Sequence, residues 1–94
     1  MLVRWSLAAA DDLEKIVNYL RQENPAVAQR IGRNIFEAAG TLSDFPNRGR
    51  LGRVDGTREL VLPSLPFIVV YRVLEHVVEI VDIIHGAQRW PPET

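Results

Sequence analysis

The apolar residues of this chain change their period once, and the change falls inside one stretch, FPNRGRLGRVDGTREL, at residues 45–60. Upstream, Leu13, Ile16, Val17 and Leu20, then Ala28, Ile31, Ile35, Ala38, Ala39 and Leu42, recur at the three- and four-residue spacing of amphipathic helices, with Phe36 widening the second stripe. Downstream, RELVL, FIVVYRV and VVEIVDIIH are short runs rich in Val, Ile, Phe and Tyr, the composition of strands. A chain of 94 residues can build one domain around one core, so both halves must share it.

Local signals place the elements. LVRW, at residues 2–5, has strand character, and Ser6 suits a cap for a first helix over residues 8–23. Asp11, Asp12 and Glu14 lie in its early turns, at the positive end of the helix dipole. Asn24 and Pro25 stop that helix and start another, which extends to about residue 43, because proline loses nothing at a first helical position. Gly32 would let the two helices approach closely, and their tight connection makes an antiparallel hairpin. The strands at residues 58–62, 67–73 and 77–85 have short connections and pair antiparallel. The last of them, apolar on both sides, is expected inside the sheet. The expected fold is therefore α+β in the order β-α-α-β-β-β, a single domain over residues 1–94. Its helical hairpin packs on one face of a small, mainly antiparallel sheet, and the other face is polar or covered.

Composition excludes several functions. The chain has no cysteine, hence no disulfide framework and no zinc–cysteine site. His76 and His85, the only histidines, do not make a usual metal site, so neither metal nor cofactor is expected. Charges come too early for a signal peptide, and the longest apolar stretch is interrupted by Pro63, Ser64 and Pro66. A cytoplasmic protein without membrane association is the expectation. A Walker-type phosphate loop and a nucleophile elbow are both absent. The net charge of −1 and pI near 6.1 are not those of a basic nucleic-acid module.

Charge is nevertheless unevenly distributed. Between Arg48 and Arg72 five arginines face only Asp55 and Glu59, a local balance of +3. Arg48, Arg50, Arg53 and Arg58 are interspersed with Gly49, Gly52 and Gly56, so backbone N–H groups and guanidiniums could converge on one anion. The alternative is a solvated loop tied to nearby acids such as Asp44 and Asp55. A second cluster, IIHGAQRWPP, places His85 at a strand end with Arg89 and Trp90 close behind. A histidine beside arginines suits metal-free RNA cleavage, with the imidazole moving protons and the arginines stabilising charge on phosphate. The structural alternative is that His85 hydrogen-bonds the turn while Trp90 lids the core against the helices. His76, in a hairpin turn, reads as solvated.

Three stretches, RWSLAAADDLEKIVNYLRQENPAVAQRI, PNRGRLGRVDGTRELVLPSLPFIVVYRV and VEIVDIIHGAQRWP, resemble the RelE/ParE superfamily of toxins from bacterial type II toxin–antitoxin modules. The resemblance spans nearly the whole chain and implies a growth-inhibitory toxin neutralised by a cognate antitoxin. It offers two targets. RelE-like members are ribosome-dependent mRNA endoribonucleases, whereas ParE-like members poison DNA gyrase without hydrolytic chemistry of their own. RelE-like ribonucleases tend to be strongly basic and commonly carry a basic residue where this chain has Ile68, in PFIVVY; the strand RELVL keeps only Arg58. These departures favour the ParE-like reading. In it, Arg48, Arg50, Arg53, Arg58, Arg89 and Trp90 are the candidates for binding antitoxin or target. In the ribonuclease alternative, His85 would be the general acid or base, and Arg58, Arg72 and Arg89 would contact phosphate.

Overall fold

The computed structural model describes residues 1–92. The chain runs through β1 (Leu2–Trp5), α1 (Leu7–Glu23), α2 (Pro25–Gly40), a 3-10 turn (Thr41–Ser43), β2 (Arg50–Leu51), β3 (Arg58–Val61), β4 (Phe67–Val73) and β5 (Val77–His85). The five strands form one sheet in the order β1-β5-β4-β3-β2. β1 runs parallel to β5, and the other pairs are antiparallel. The fold is thus the expected α+β arrangement of two helices on a mainly antiparallel sheet, with one strand more than anticipated. That strand, β2, lies inside the Arg/Gly stretch and has two residues only.

The caps act as their residue types require. Ser6 Oγ accepts from the Ala9 N–H, and Asn24 Oδ1 accepts from the N–H groups of Ala26 and Val27. Pro25 occupies the first position of α2. The stripe of α2 then buries Ala28, Ile35 and Ala39. At Gly32 an added Cβ would stand 2.8 Å from Val17 Cγ2, so a side chain there would hold the helices apart. The second helix ends at Gly40, and residues expected to continue it tighten into the 3-10 turn.

The sheet presents two different faces. Val69, Tyr71, Val78, Ile80 and Ile83 point to the helices and join Ala9, Ile35, Ala39 and Leu42 in the main core. Ile68, Val70 and Ile84 alternate with them and face the opposite way. A bulge between Val70 and Tyr71 in the β4–β5 register lets the second strand keep both sets inward. β5 lies between β1 and β4, the interior position its apolar composition implied.

The second face is covered in part by the chain itself. Trp90 and Val81 pack against the cluster of Ile68, Val70 and Ile84. The sequence-based expectation that Trp90 packs against the helices is therefore corrected. The tail turns the other way because the Gly86 N–H bonds the Pro66 carbonyl at 2.7 Å and Gln88 closes a turn onto His85. Among the described residues, no helix is long and apolar enough to cross a membrane.

Candidate functional site

The Arg/Gly loop is held by its own protein. Glu59, on β3, leaves only 2 % of its side chain exposed although it carries a charge. Arg50 Nη2 donates to its Oε1 at 2.9 Å, Arg53 Nε to its Oε2 at 3.0 Å, and the Arg53 backbone N–H to Oε2 at 3.0 Å. Burial pushes the Glu59 pKa up, but the hydrogen bonds from Arg53 and Arg50 outweigh it and hold the carboxyl at about 2. The loop therefore does gather guanidiniums and an N–H on one anion, and that anion is internal. The acid is Glu59, a strand neighbour of Arg50 in the β2–β3 register, rather than Asp44 or Asp55.

Two more anchors fix the loop backbone. The Tyr71 hydroxyl, in the core, accepts from the Gly49 N–H at 2.8 Å and donates to the Pro46 carbonyl at 2.7 Å. Burial raises the Tyr71 pKa, so the phenol stays protonated and able to make both bonds. Arg58 Nη1 donates to the Gly49 carbonyl at 2.8 Å and lies 3.4 Å from that of Asn47. Arg48 reaches Thr41 Oγ1 at 3.2 Å. With its arginines turned onto acid and backbone, the loop leaves Phe45 and Leu51 outward, 63 % and 78 % exposed.

A second carboxylate neutralises the far end of the helix-free face. Glu79 pairs with Arg72 and, at 3.1 Å, with Arg4, across three neighbouring strands. Arg72, followed by Arg4, holds the Glu79 pKa below its ordinary value. Arg4, Arg50, Arg53 and Arg72 are thus all matched to internal acids.

The histidine and arginines of the ribonuclease alternative are not brought together. His85 pairs with Phe67 at one end of the β4–β5 ladder, and Arg72 pairs with Glu79 at the other. Five residues of strand separate those rows, about 17 Å at the rise of a β-strand. The two side chains also take opposite faces. His85 sets its ring edge-on to Phe67, centroids 5.9 Å apart, beside Lys15, Ile16, Tyr19 and Leu20 of α1. Arg72 lies on the helix-free face with Glu79. Arg58, opposite Tyr71, belongs to the loop anchor. His85 itself is exposed, and its Nδ1 accepts the Ala87 N–H at 3.2 Å, the turn-bonding role set out as the structural alternative. Arg89 follows in the same terminal segment, where Trp90 Nε1 donates to Asp82 Oδ2 at 3.2 Å.

Sequence reasoning missed Glu59 and the Asp82–Trp90 contact. Glu59 left one trace: a carboxylate in the strand run RELVL, within ten residues of three arginines, Arg50, Arg53 and Arg58.

Comparisons with known proteins agree with this architecture. Residues 3–90 match the family described as ParE toxin of type II toxin-antitoxin system, parDE. The chain is 39 % identical over 89 residues to Y4kP of Sinorhizobium fredii, a toxin by name, covering 95 % of this chain and 92 % of that one. It is 38 % identical over 86 residues to toxin RelE2 of Caulobacter vibrioides, covering 92 % and 96 % respectively. A solved structure titled as the chromosomal ParDE system from P. aeruginosa superimposes with a TM-score of 0.81 at 30 % identity, over 90 % of this chain and 95 % of that one. A strand, a capped helical hairpin and an antiparallel sheet closed by an arginine-rich loop are thus the form this family takes here: the chain belongs to the ParE toxin family of type II toxin–antitoxin systems.

Proposed function

We propose that this toxin acts as a binding protein that inhibits DNA gyrase and is neutralised by a cognate protein antitoxin. One observation carries the choice against an mRNA endoribonuclease: the arginines of the helix-free face are neutralised by Glu59 and Glu79, and His85 stands on the other face. A site that stabilises a dianionic phosphorane needs donors preorganised and unoccupied around the proton-transfer group. Here Arg72 would first have to leave Glu79, and Arg58 the Gly49 carbonyl. The similarity to a ParDE structure supports the same reading. The relatives that bear the RelE name keep the ribosome as the alternative target.

The contact surface we assign comprises the loop from Arg48 to Arg58 with the terminal residues Arg89 and Trp90. Arg50 and Arg53 serve it by positioning the loop through Glu59, so Arg50→Ala with Arg53→Ala weakens the antitoxin complex. Unchanged affinity would remove the loop from that role. The functional test is His85→Ala expressed without antitoxin. Growth arrest equal to that of the unaltered toxin supports a binding poison, whereas lost toxicity with an intact fold supports the nuclease.

A further inference from the structure

The sheet has two edges, and the chain treats them differently. At one edge β2 is only two residues long, which limits what can pair with it. At the other, β1 offers Leu2–Trp5 in unbroken register with β5, without a proline, a lysine or a bulge. Its one charge, Arg4, is turned back across the sheet onto Glu79 at 3.1 Å. The Ser6 N–H bonds the Ile80 carbonyl, so by the alternation of a parallel ladder the even residues of β1 bond to β5 and the odd ones point outward. Met1 is capped by the chain itself: its nitrogen donates to the Ser43 carbonyl at 2.8 Å, and the Ser43 hydroxyl donates to its carbonyl. Val3 and Trp5 have no such cap among the described residues. Beside them stand Leu2, 70 % exposed, and Phe36, 57 % exposed and stacked on Trp5 with ring centroids 5.7 Å apart.

We propose that this edge docks a second copy of the chain, β1 against β1 antiparallel across a two-fold axis, joining the two five-stranded sheets into one. The register follows from the caps. Val3 opposite Trp5 of the second copy, with Trp5 opposite its Val3, satisfies the outward N–H and carbonyl of both residues in each chain. Sliding the strands to put Val3 opposite Val3 would set Trp5 against Met1, whose groups Ser43 already holds. On the helix side, the chosen register pairs an aromatic with a β-branched side chain twice over, a class of cross-strand pair that stabilises sheets, and Phe36 stands behind each tryptophan. On the helix-free side Arg4 meets Arg4 at the axis, and the Glu79 paired with each offsets the like charge. A strand of 4 residues buries less than a standard interface. Half-association is therefore expected at roughly 10–100 μM. The loop from Arg48 to Arg58 lies at the opposite edge, so the contact leaves it open and does not depend on which target is bound.

The test is sedimentation of the purified chain from about 1 μM to about 1 mM, with amide exchange read residue by residue over the same range. The mass should rise from 10.6 kDa toward twice that value, and the Val3 and Trp5 amides should exchange about tenfold more slowly at the top of the range than at the bottom. Val3→Pro removes an N–H that the single chain does not use, so this variant should keep the native circular dichroism and stay at 10.6 kDa throughout. If it fails to fold, Leu2→Lys, at an exposed site diagonal to Arg4 of the second copy, should weaken association about tenfold. The mass of one chain at every concentration overturns the proposal, and so does a dimer that the folded variant leaves intact. Protection of Val3 and Trp5 that appears only when the cognate antitoxin is added overturns it too, by giving the edge to an antitoxin strand.

Discussion

Replacing Glu59 with glutamine isolates what the loop clamp contributes. The amide keeps the size of the carboxylate but removes the charge that Arg50 and Arg53 converge on. Holding a carboxyl at about 2 rather than in the ordinary range near 4.5 corresponds to about 3 kcal/mol. Both arginines are partly exposed, 56 % and 37 %, so screening lowers the expected loss to about 2 kcal/mol. For a chain this size that is a fall in Tm of roughly 10 °C. The pH dependence gives a sharper signature. A depressed folded-state pKa contributes stability that is fully present above the unfolded value and lost as pH falls through the folded one. The native protein should therefore lose this contribution between about pH 4.5 and about pH 2, and Glu59→Gln should lack it. Asp12 works in the opposite sense. Its folded pKa is raised from 3.8 to about 6, so its contribution is full below the lower value and lost as pH rises through the upper one. The two together place the maximum of their summed contribution between about 3.8 and 4.5, with stability falling from there to about pH 6 as Asp12 ionises. Urea unfolding followed by circular dichroism at stepped pH measures the difference between native and variant. A Glu59→Gln protein whose stability tracks the native one at every pH would refute the clamp.

Tyr71→Phe leaves the buried Gly49 N–H and the Pro46 carbonyl without their shared partner and should cost about 2 kcal/mol in urea unfolding, with the Gly49 amide among the first to lose exchange protection. Gly49→Ala would place a Cβ 2.7 Å from Tyr71 Cε1 and 2.9 Å from the Glu59 carbonyl, so it should lift the loop and destabilise by about 1–3 kcal/mol in the same assay. Asn24→Ala removes the acceptor for two amides at the start of α2 and should lower stability by about 1 kcal/mol without touching the loop.

The order of elements was legible because its signals are local. Ser6, Asn24 and Pro25 punctuate the helices through bonds that reach no further than three residues. The strand runs announce themselves by β-branched composition. What stayed hidden depends on pairing between distant segments. β2 exists because Arg50 and Leu51 meet Glu59 and Arg58, a register that two residues of sequence cannot signal. The same pairing decides that the arginines face an internal acid. The separation of His85 from Arg72 is a matter of strand parity and of the bulge at Val70/Tyr71, which resets which residues share a face. Proximity of His85 and Arg89 in sequence suggested a cluster, whereas the ladder sends the other candidate cations to its far end. Trp90 covers the helix-free face rather than the helices because the turn at Gly86 sends the terminal segment that way.

The proposed inhibition of DNA gyrase by binding is tested first by gyrase supercoiling with purified components. The toxin is expected to abolish supercoiling or trap cleaved DNA, the cognate antitoxin to restore activity, and His85→Ala to inhibit as well as the unaltered chain. Gyrase left fully active at saturating toxin, while the same preparation cuts mRNA on programmed ribosomes in a His85-dependent manner, would contradict it.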